Sequence, residues 1–267
     1  MTSSSDPILV VRDLSVTFPD ATNGGLEALE AVSFTVCPQE FVCVLGPSGS
    51  GKSTLLRILA GLLTPTSGTF SYVVAQSATI MVAQSATIAG GQQPRIGVVF
   101  QQSNLMPWRT VHANITLPLE LEGVNGSQAQ IKAQELIDLV GLQGFESSWP
   151  RDLSGGMAQR VAIARALIHD PDILLLDEPF GSLDALTRER MWSELLRICQ
   201  ARQKTVLMVT HSISEALFLA DRVLVLTQRP GSIKLDLSVD LPRPRLDEMR
   251  YTAHFGELAR KLKEAIG

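Results

Sequence analysis

A chain of 267 residues with 45% hydrophobic and 19% charged side chains buries a sizeable core as one large domain or two small ones, which excludes intrinsic disorder and a collagen-like repeat. The formal net charge of -4 excludes a nucleic-acid or anionic-membrane partner held by bulk positive charge, so any membrane contact is local and specific. Three cysteines, Cys37, Cys43 and Cys199, lie far apart in no metal-like spacing, and an odd number in a chain this long points to a reducing cytosol rather than a disulfide framework.

The first residues, Met-Thr-Ser-Ser-Ser-Asp-Pro, carry neither a basic start nor an apolar run before a small-residue cleavage site, so no secretory signal is expected. Runs of Val, Ile, Leu and Phe at 8–11, 14–18, 32–36 and 41–45 predict strands, with turn residues at 20–25. A helix is expected over 54–63. Between Ile58 and Pro94 there is no charge, yet Gly, Pro, Ser, Thr and Gln punctuate the stretch too often for a membrane span, and it reads as exposed or edge β structure. Within it Val-Ala-Gln-Ser-Ala-Thr-Ile recurs from Val74 and from Val82, an even period of eight that keeps each copy on the same strand faces. Two copies make a lengthened hairpin and not a solenoid.

After residue 100 helical periodicity takes over at 111–120, 128–140 and 157–168, broken by glycines and Pro150. From Ile173 apolar runs at 173–176, 206–209 and 223–226 alternate with helical segments at 185–202 and 212–219, the β-α-β signature of a parallel sheet. The fold class is therefore α/β. Leu241-Pro-Arg-Pro-Arg245 is expected to stop the sheet, and residues 247–266 read as a terminal amphipathic helix.

The most specific feature is Gly46-Pro47-Ser48-Gly49-Ser50-Gly51-Lys52-Ser53, followed by Thr54, set between a buried-type strand and a helix. Glycines let the backbone wrap a phosphate chain so that successive N–H groups and the helix N-terminus face the anion. Lys52 adds a point charge, and Ser53 a hydroxyl ligand for Mg²⁺. Ile173-Leu-Leu-Leu-Asp177-Glu178-Pro179 places two carboxylates at a strand end, where ligands of open α/β sheets collect. Asp177 suits the Mg²⁺ shell, and Glu178 suits a base for water attacking the γ-phosphate. Leu153-Ser154-Gly155-Gly156 opens another helix, either as an ordinary capped helix or as a second anion-binding end, which one mononucleotide does not need.

In this order, with Gln101 after Val98-Val-Phe, Ser182-Leu-Asp184 and Thr210-His211, the motifs resemble the nucleotide-binding subunit of an ABC transporter over nearly the whole chain. The resemblance implies a P-loop core with a mostly parallel sheet, an antiparallel β subdomain and a helical insert at about 102–165, all within residues 1–245, then a C-terminal helix at 246–267. It implies a second ATP-binding subunit, the same or related, so that two ATP molecules are sandwiched and Ser154, Gly155, Gly156 and Asp184 serve the opposite subunit's ATP. It adds Gln101 to the Mg²⁺ shell, His211 at the γ-phosphate and Phe18 stacked on adenine; a Phe ending a strand is otherwise core.

Leu105-Met-Pro-Trp108, Leu117-Pro-Leu-Glu120, Met157, Leu183-Asp-Ala-Leu-Thr-Arg188, Glu215-Ala-Leu-Phe-Leu-Ala-Asp-Arg222, Arg229-Pro-Gly231 and the 241–245 segment are similar to ATPase subunits of the nitrate, sulfonate and taurine importers. Ala158 departs from that group's usual Arg, as does the doubled repeat. The expected protein is a peripheral ATPase on the cytoplasmic face of the inner membrane, powering uptake of a small solute, an anion by this likeness, through a separate permease fed by a solute-binding protein. Residues 105–109 then either receive a permease helix or bury Trp108 in the insert's own core. The alternative from another class is a soluble ABC ATPase of DNA repair or translation, which usually carries a coiled-coil insert or tandem cassettes. A P-loop kinase does not explain residues 153–156, and an inactive regulatory subunit would lack Lys52, Asp177, Glu178 or His211. The remaining histidines, His112, His169 and His254, read as structural filler.

Overall fold

The computed structural model describes residues 6–19, 25–74, 77–82 and 95–267. In chain order its elements are β1 (Leu9–Phe18), β2 (Leu26–Val36), β3 (Phe41–Leu45), α1 (Lys52–Leu59), β4 (Ser67–Val74), β5 (Ser77–Val82) and β6 (Ile96–Val99), then α2 (Val111–Leu121), α3 (Gly126–Leu139), α4 (Gly155–Leu167), β7 (Ile173–Asp177), α5 (Ala185–Ala201), β8 (Thr205–Thr210), α6 (Ile213–Leu219), β9 (Arg222–Leu226), β10 (Ile233–Ser238) and α7 (Ala253–Ile266). They fall into two compact units, Met1–Pro94 with Thr205–Gly267, and Arg95–Lys204.

The first unit holds an antiparallel sheet in the order β2-β1-β4-β5. The runs at 8–11 and 14–18 are one strand, β1. Asp13, at φ 49, sits in a register shift between Val11 and Leu14, a bulge that breaks the apolar alternation without ending the pairing. The stretch from Ile58 is not all exposed or edge structure: Ile58 and Leu59 still belong to α1, and β4 lies between β1 and β5 with Phe70 and Tyr72 buried at alternate positions. The Tyr72 hydroxyl donates to the Leu59 carbonyl at 2.7 Å, and burial pushes its pKa up. Helix α1 stops four residues before its expected end. Gly61 turns left-handed at φ 72, and Leu62 N–H closes on the Arg57 carbonyl at 2.8 Å. The first copy of the repeat enters the β4–β5 pair, while its residues 75–76, the second copy beyond Val82 and the turn at 20–24 lie outside the described residues.

In the same unit β3 pairs in parallel with β8, from Phe41↔Val206 to Leu45↔Thr210, and with β9, from Val42↔Arg222 to Leu45↔Val225. Every residue of β3 and β8 is buried, as continuous apolar runs of strands covered on both faces require. Strand β10, absent from the sequence reading, pairs antiparallel with β9; its half-buried Ile233, Leu235 and Leu237 alternate with exposed Lys234, Asp236 and Ser238. The expected helix at 247–266 is a 3₁₀ turn, Asp247–Tyr251, and then α7. Thr252 separates them because its hydroxyl caps α7, accepting from Phe255 N–H at 3.3 Å.

The second unit pairs β6 and β7 in parallel, Ile96↔Ile173 to Val99↔Leu176, and packs α2 against α3 and α4. Among the described residues no helix is long and apolar enough to cross a membrane.

Candidate functional site

Three strand ends of the first unit converge on residues 46–53. Strand β3 runs directly into the loop, Thr210 of β8 and Val225 of β9 flank Leu45, and His211 leaves β8 at that end. The loop turns because Gly49 and Gly51 adopt φ 80 and φ 88; at Gly51 a Cβ would also lie 2.6 Å from the Ala28 carbonyl oxygen. Lys52, 5% exposed, begins α1 and folds back so that Nζ donates to the carbonyls of Gly46 at 2.9 Å and Pro47 at 2.8 Å. Gly51 supplies no side-chain cap, so the N-terminus of α1 points its amides and positive dipole end into the loop. Ser48 and Gly49 are exposed, Pro47, Ser53 and Thr54 half-buried, and the buried Ser50 hydroxyl has no hydrogen-bond partner among the described residues. Phe18 ends β1 opposite Leu26, with 36% of its surface exposed, so it is not a core residue in this chain.

His211 is exposed, and its backbone is framed by a buried network that sequence reasoning missed. Thr210 Oγ1 donates to Glu215, Ser212 N–H donates to Thr210 Oγ1 at 3.0 Å, and Ser212 Oγ accepts from Glu215 N–H at 3.3 Å. Glu215 also reaches Cys43: burial, then the Glu215 and Asp221 charges, pushes that thiol's pKa well up, which leaves it unreactive.

In the second unit Asp177 is buried at the end of β7, and Glu178 follows at φ 44, a left-handed conformation that costs a non-glycine residue about 1 kcal/mol or more. The structure brings Gln101 and Glu178 together: a Cβ at Gly181 would lie 3.4 Å from Gln101 Nε2 and 3.8 Å from Glu178 Oε2. Ser154 caps α4, accepting from Met157 N–H at 3.3 Å. Gly156 faces Thr187, whose Cγ2 a Cβ there would meet at 2.9 Å, and Asp184 Oδ1 accepts from Thr187 N–H at 3.0 Å. These hydrogen bonds from Thr187 hold the Asp184 carboxyl below its usual range. Ser154, Gly156 and Asp184 thus form one cluster at two adjoining helix starts.

Two further residues of this unit organise the loop between β6 and α2. Arg165 on α4 donates to the Ser103 and Asn104 carbonyls at 2.8 and 2.9 Å, just beyond Gln101. Asn114, fully buried, accepts from Met106 N–H at 2.8 Å, and its Nδ2 lies 3.0–3.2 Å from the carbonyls of Met106, Arg109 and Thr110. Trp108, between those anchors, is 70% exposed, which overturns the reading that buries it in a core. Replacing Asn114 with Ala removes the side-chain partner of Met106 N–H and of the Arg109 carbonyl, while the Met106 and Thr110 carbonyls keep backbone donors, so urea unfolding is expected to show a loss of about 2–3 kcal/mol.

Residues 29–181 match the family model described as ABC transporter. The chain is 46% identical to the nitrate import ATP-binding protein NrtD of Synechocystis over 88% of this chain and 83% of that protein. It is 41% identical to the taurine import ATP-binding protein TauB of Pseudomonas syringae pv. tomato, over 97% and 91%. Its fold is similar, with TM-score 0.72, 30% identity and coverage of 88% and 100%, to the dimeric post-hydrolysis structure of the ATP-binding cassette MJ0796 bound to ADP and Pi. With a glycine loop wrapped ahead of a helix and leaving an all-buried strand that pairs in parallel on both sides, the family match has its structural counterpart: this chain belongs to the ABC transporter family, as an ATP-binding cassette subunit that hydrolyses ATP.

Proposed function

We propose that this chain is the ATPase of an importer for a small solute, an anion such as nitrate, a sulfonate or taurine, and that it works on the cytoplasmic face of the membrane against a separate permease. The observation that carries this is the identity of 46% and 41% to nitrate and taurine import subunits over most of each chain. A second ATP-binding subunit completes the site, as the dimeric cassette relatives support. Each nucleotide lies between residues 46–54 of one subunit and Ser154, Gly155, Gly156 and Asp184 of the other, and a solute-binding protein delivers the cargo. Trp108 and its braced loop offer the permease a preformed surface.

In this reading the N–H groups of residues 49–53 and Lys52 hold the phosphates, and Glu178 takes the proton of the water that attacks the γ-phosphorus as the bond to ADP breaks. His211 steadies the charge that develops on the γ-phosphoryl oxygens. The donors assigned to Mg²⁺, the Ser53 hydroxyl, the Gln101 amide oxygen and the Asp177 carboxylate, are all hard oxygens. Among the described residues no cluster of three or more His, Cys, Asp or Glu forms a dedicated cage, in keeping with an ion held through one carboxylate and phosphate oxygens. When bound, that ion neutralises charge on the β- and γ-oxygens.

Adenine stacked on Phe18 makes Phe18→Ala an affinity variant: ATP binding is expected to weaken about 3–10-fold with unchanged thermal stability, as measured by fluorescent-nucleotide titration and a melting scan. The transport reading is tested by pull-down of tagged protein from detergent-solubilised membranes, with co-purifying chains identified by mass spectrometry. A polytopic permease in the eluate supports it. Ribosomal or DNA-repair components alone would leave the ATPase standing and remove the importer.

A further inference from the structure

The segment after β9 touches both the 46–53 loop and β2. Gly231 N–H donates to the Ala28 carbonyl at 3.0 Å, and Glu30 N–H donates to the Gly231 carbonyl at 3.0 Å, so residue 231 is stitched to β2. On its other side it abuts the loop: a Cβ at Gly231 would stand 2.1 Å from the Ser50 carbonyl oxygen. Arg229, an exposed side chain, donates from Nε to the Gly49 carbonyl at 3.2 Å. Of two consecutive peptide planes of the loop, 49–50 is therefore held through its carbonyl oxygen by a hydrogen bond and 50–51 is packed at its carbonyl oxygen against Gly231.

The consequence follows from peptide geometry. In a planar trans unit the N–H points opposite to the C=O, so a carbonyl anchored on the outside directs its amide to the inside. Ser50 N–H does point inward, to the Pro47 carbonyl at 3.3 Å, which also accepts from Lys52 Nζ. An amide and an ammonium group thus face the same side of the loop, where a phosphate oxygen is the stronger acceptor.

We propose that Arg229 and Gly231 are positioning residues for nucleotide binding, a brace that sets the direction of the Ser50 and Gly51 amides. This rests on the reading of residues 46–53 as the phosphate loop. Glycine is required at 231 because only its bare Cα fits between β2 and the Ser50 carbonyl. The arginine adds a charge-assisted hydrogen bond to the Gly49 carbonyl.

The test compares Arg229→Ala, Arg229→Lys, Gly231→Ala and, as the control for the loop itself, Lys52→Ala, by fluorescent-ATP titration, steady-state ATPase kinetics and thermal melting of the whole chain. Arg229→Ala is expected to raise Kd and KM for ATP about fivefold with kcat within about twofold and an unchanged melting midpoint, because the side chain is exposed. Arg229→Lys restores most of the affinity. Gly231→Ala weakens binding more than either, about tenfold or beyond; should it fail to fold, Arg229→Ala decides alone. Unchanged Kd and KM in Arg229→Ala, while Lys52→Ala loses binding, overturns the brace and leaves the phosphate loop intact. Retained binding in Lys52→Ala overturns both.

Discussion

Glu178→Gln is expected to lower kcat for ATP hydrolysis by about 10²–10³-fold while leaving ATP affinity within about threefold. The exchange replaces one carboxylate oxygen by an amide and keeps the volume, so the backbone at φ 44 and the neighbouring Gly181 and Gln101 are undisturbed. Glutamine cannot take the proton of an attacking water. It can still orient that water, which leaves a residual rate. Single-turnover hydrolysis beside nucleotide titration separates the two steps, and normal turnover in the variant would refute the general-base role. The left-handed backbone at this position is consistent with strain retained where a side chain must be aimed. Because glutamine has the same backbone preferences as glutamate, the melting midpoint should not move.

Lys52→Ala is expected to weaken ATP binding about 100-fold or more. In this chain Lys52 is buried and its ammonium group donates to the carbonyls of Gly46 and Pro47. A triphosphate offers a formal opposite charge, so the group gains far more from the nucleotide than from its own loop. The prediction has a stability readout. Wild-type protein at 100 times its Kd gains about 2.7 kcal/mol from bound nucleotide, and Lys52→Ala at the same concentration should gain almost nothing. Without nucleotide the variant should stay close to the parent in stability, because removing the side chain relieves the burial of a charge as it removes the hydrogen bonds to Gly46 and Pro47. A full ATP-induced shift in the variant's melting midpoint would show that the nucleotide is held elsewhere.

What the sequence shows of these sites is what lies in adjacent residues. A strand, a glycine loop and a helix start are contiguous in 41–59, and the structure has them in that order as β3, the loop and α1. The same holds for Asp177 and Glu178 at the end of β7 and for Ser154 at the start of α4, because a strand end and a helix cap are each local events. Which residues steer these groups was not legible for the converse reason. Arg229 reaches Gly49 across 180 positions and Arg165 reaches Ser103 across 62, and neither arginine belongs to a spacing pattern that marks its partner. Glu215 lies only five positions from Thr210, but the sequence places it simply in a helical segment, and its burial is set by β3 beside it.

By itself the sequence determined the α/β class, the positions of most helices and strands within a few residues, and the phosphate-type loop, because periodicity, caps and glycine placement act over a few residues at a time. Only the tertiary structure decided that β10 closes one edge of its sheet, that Trp108 faces outward while Asn114 beneath it is buried, and that the loop's peptide planes are held from Arg229 and Gly231. Those outcomes depend on which surfaces meet after the chain has folded back on itself. Burial and long-range hydrogen bonds are properties of pairs of segments, and no single segment carries them.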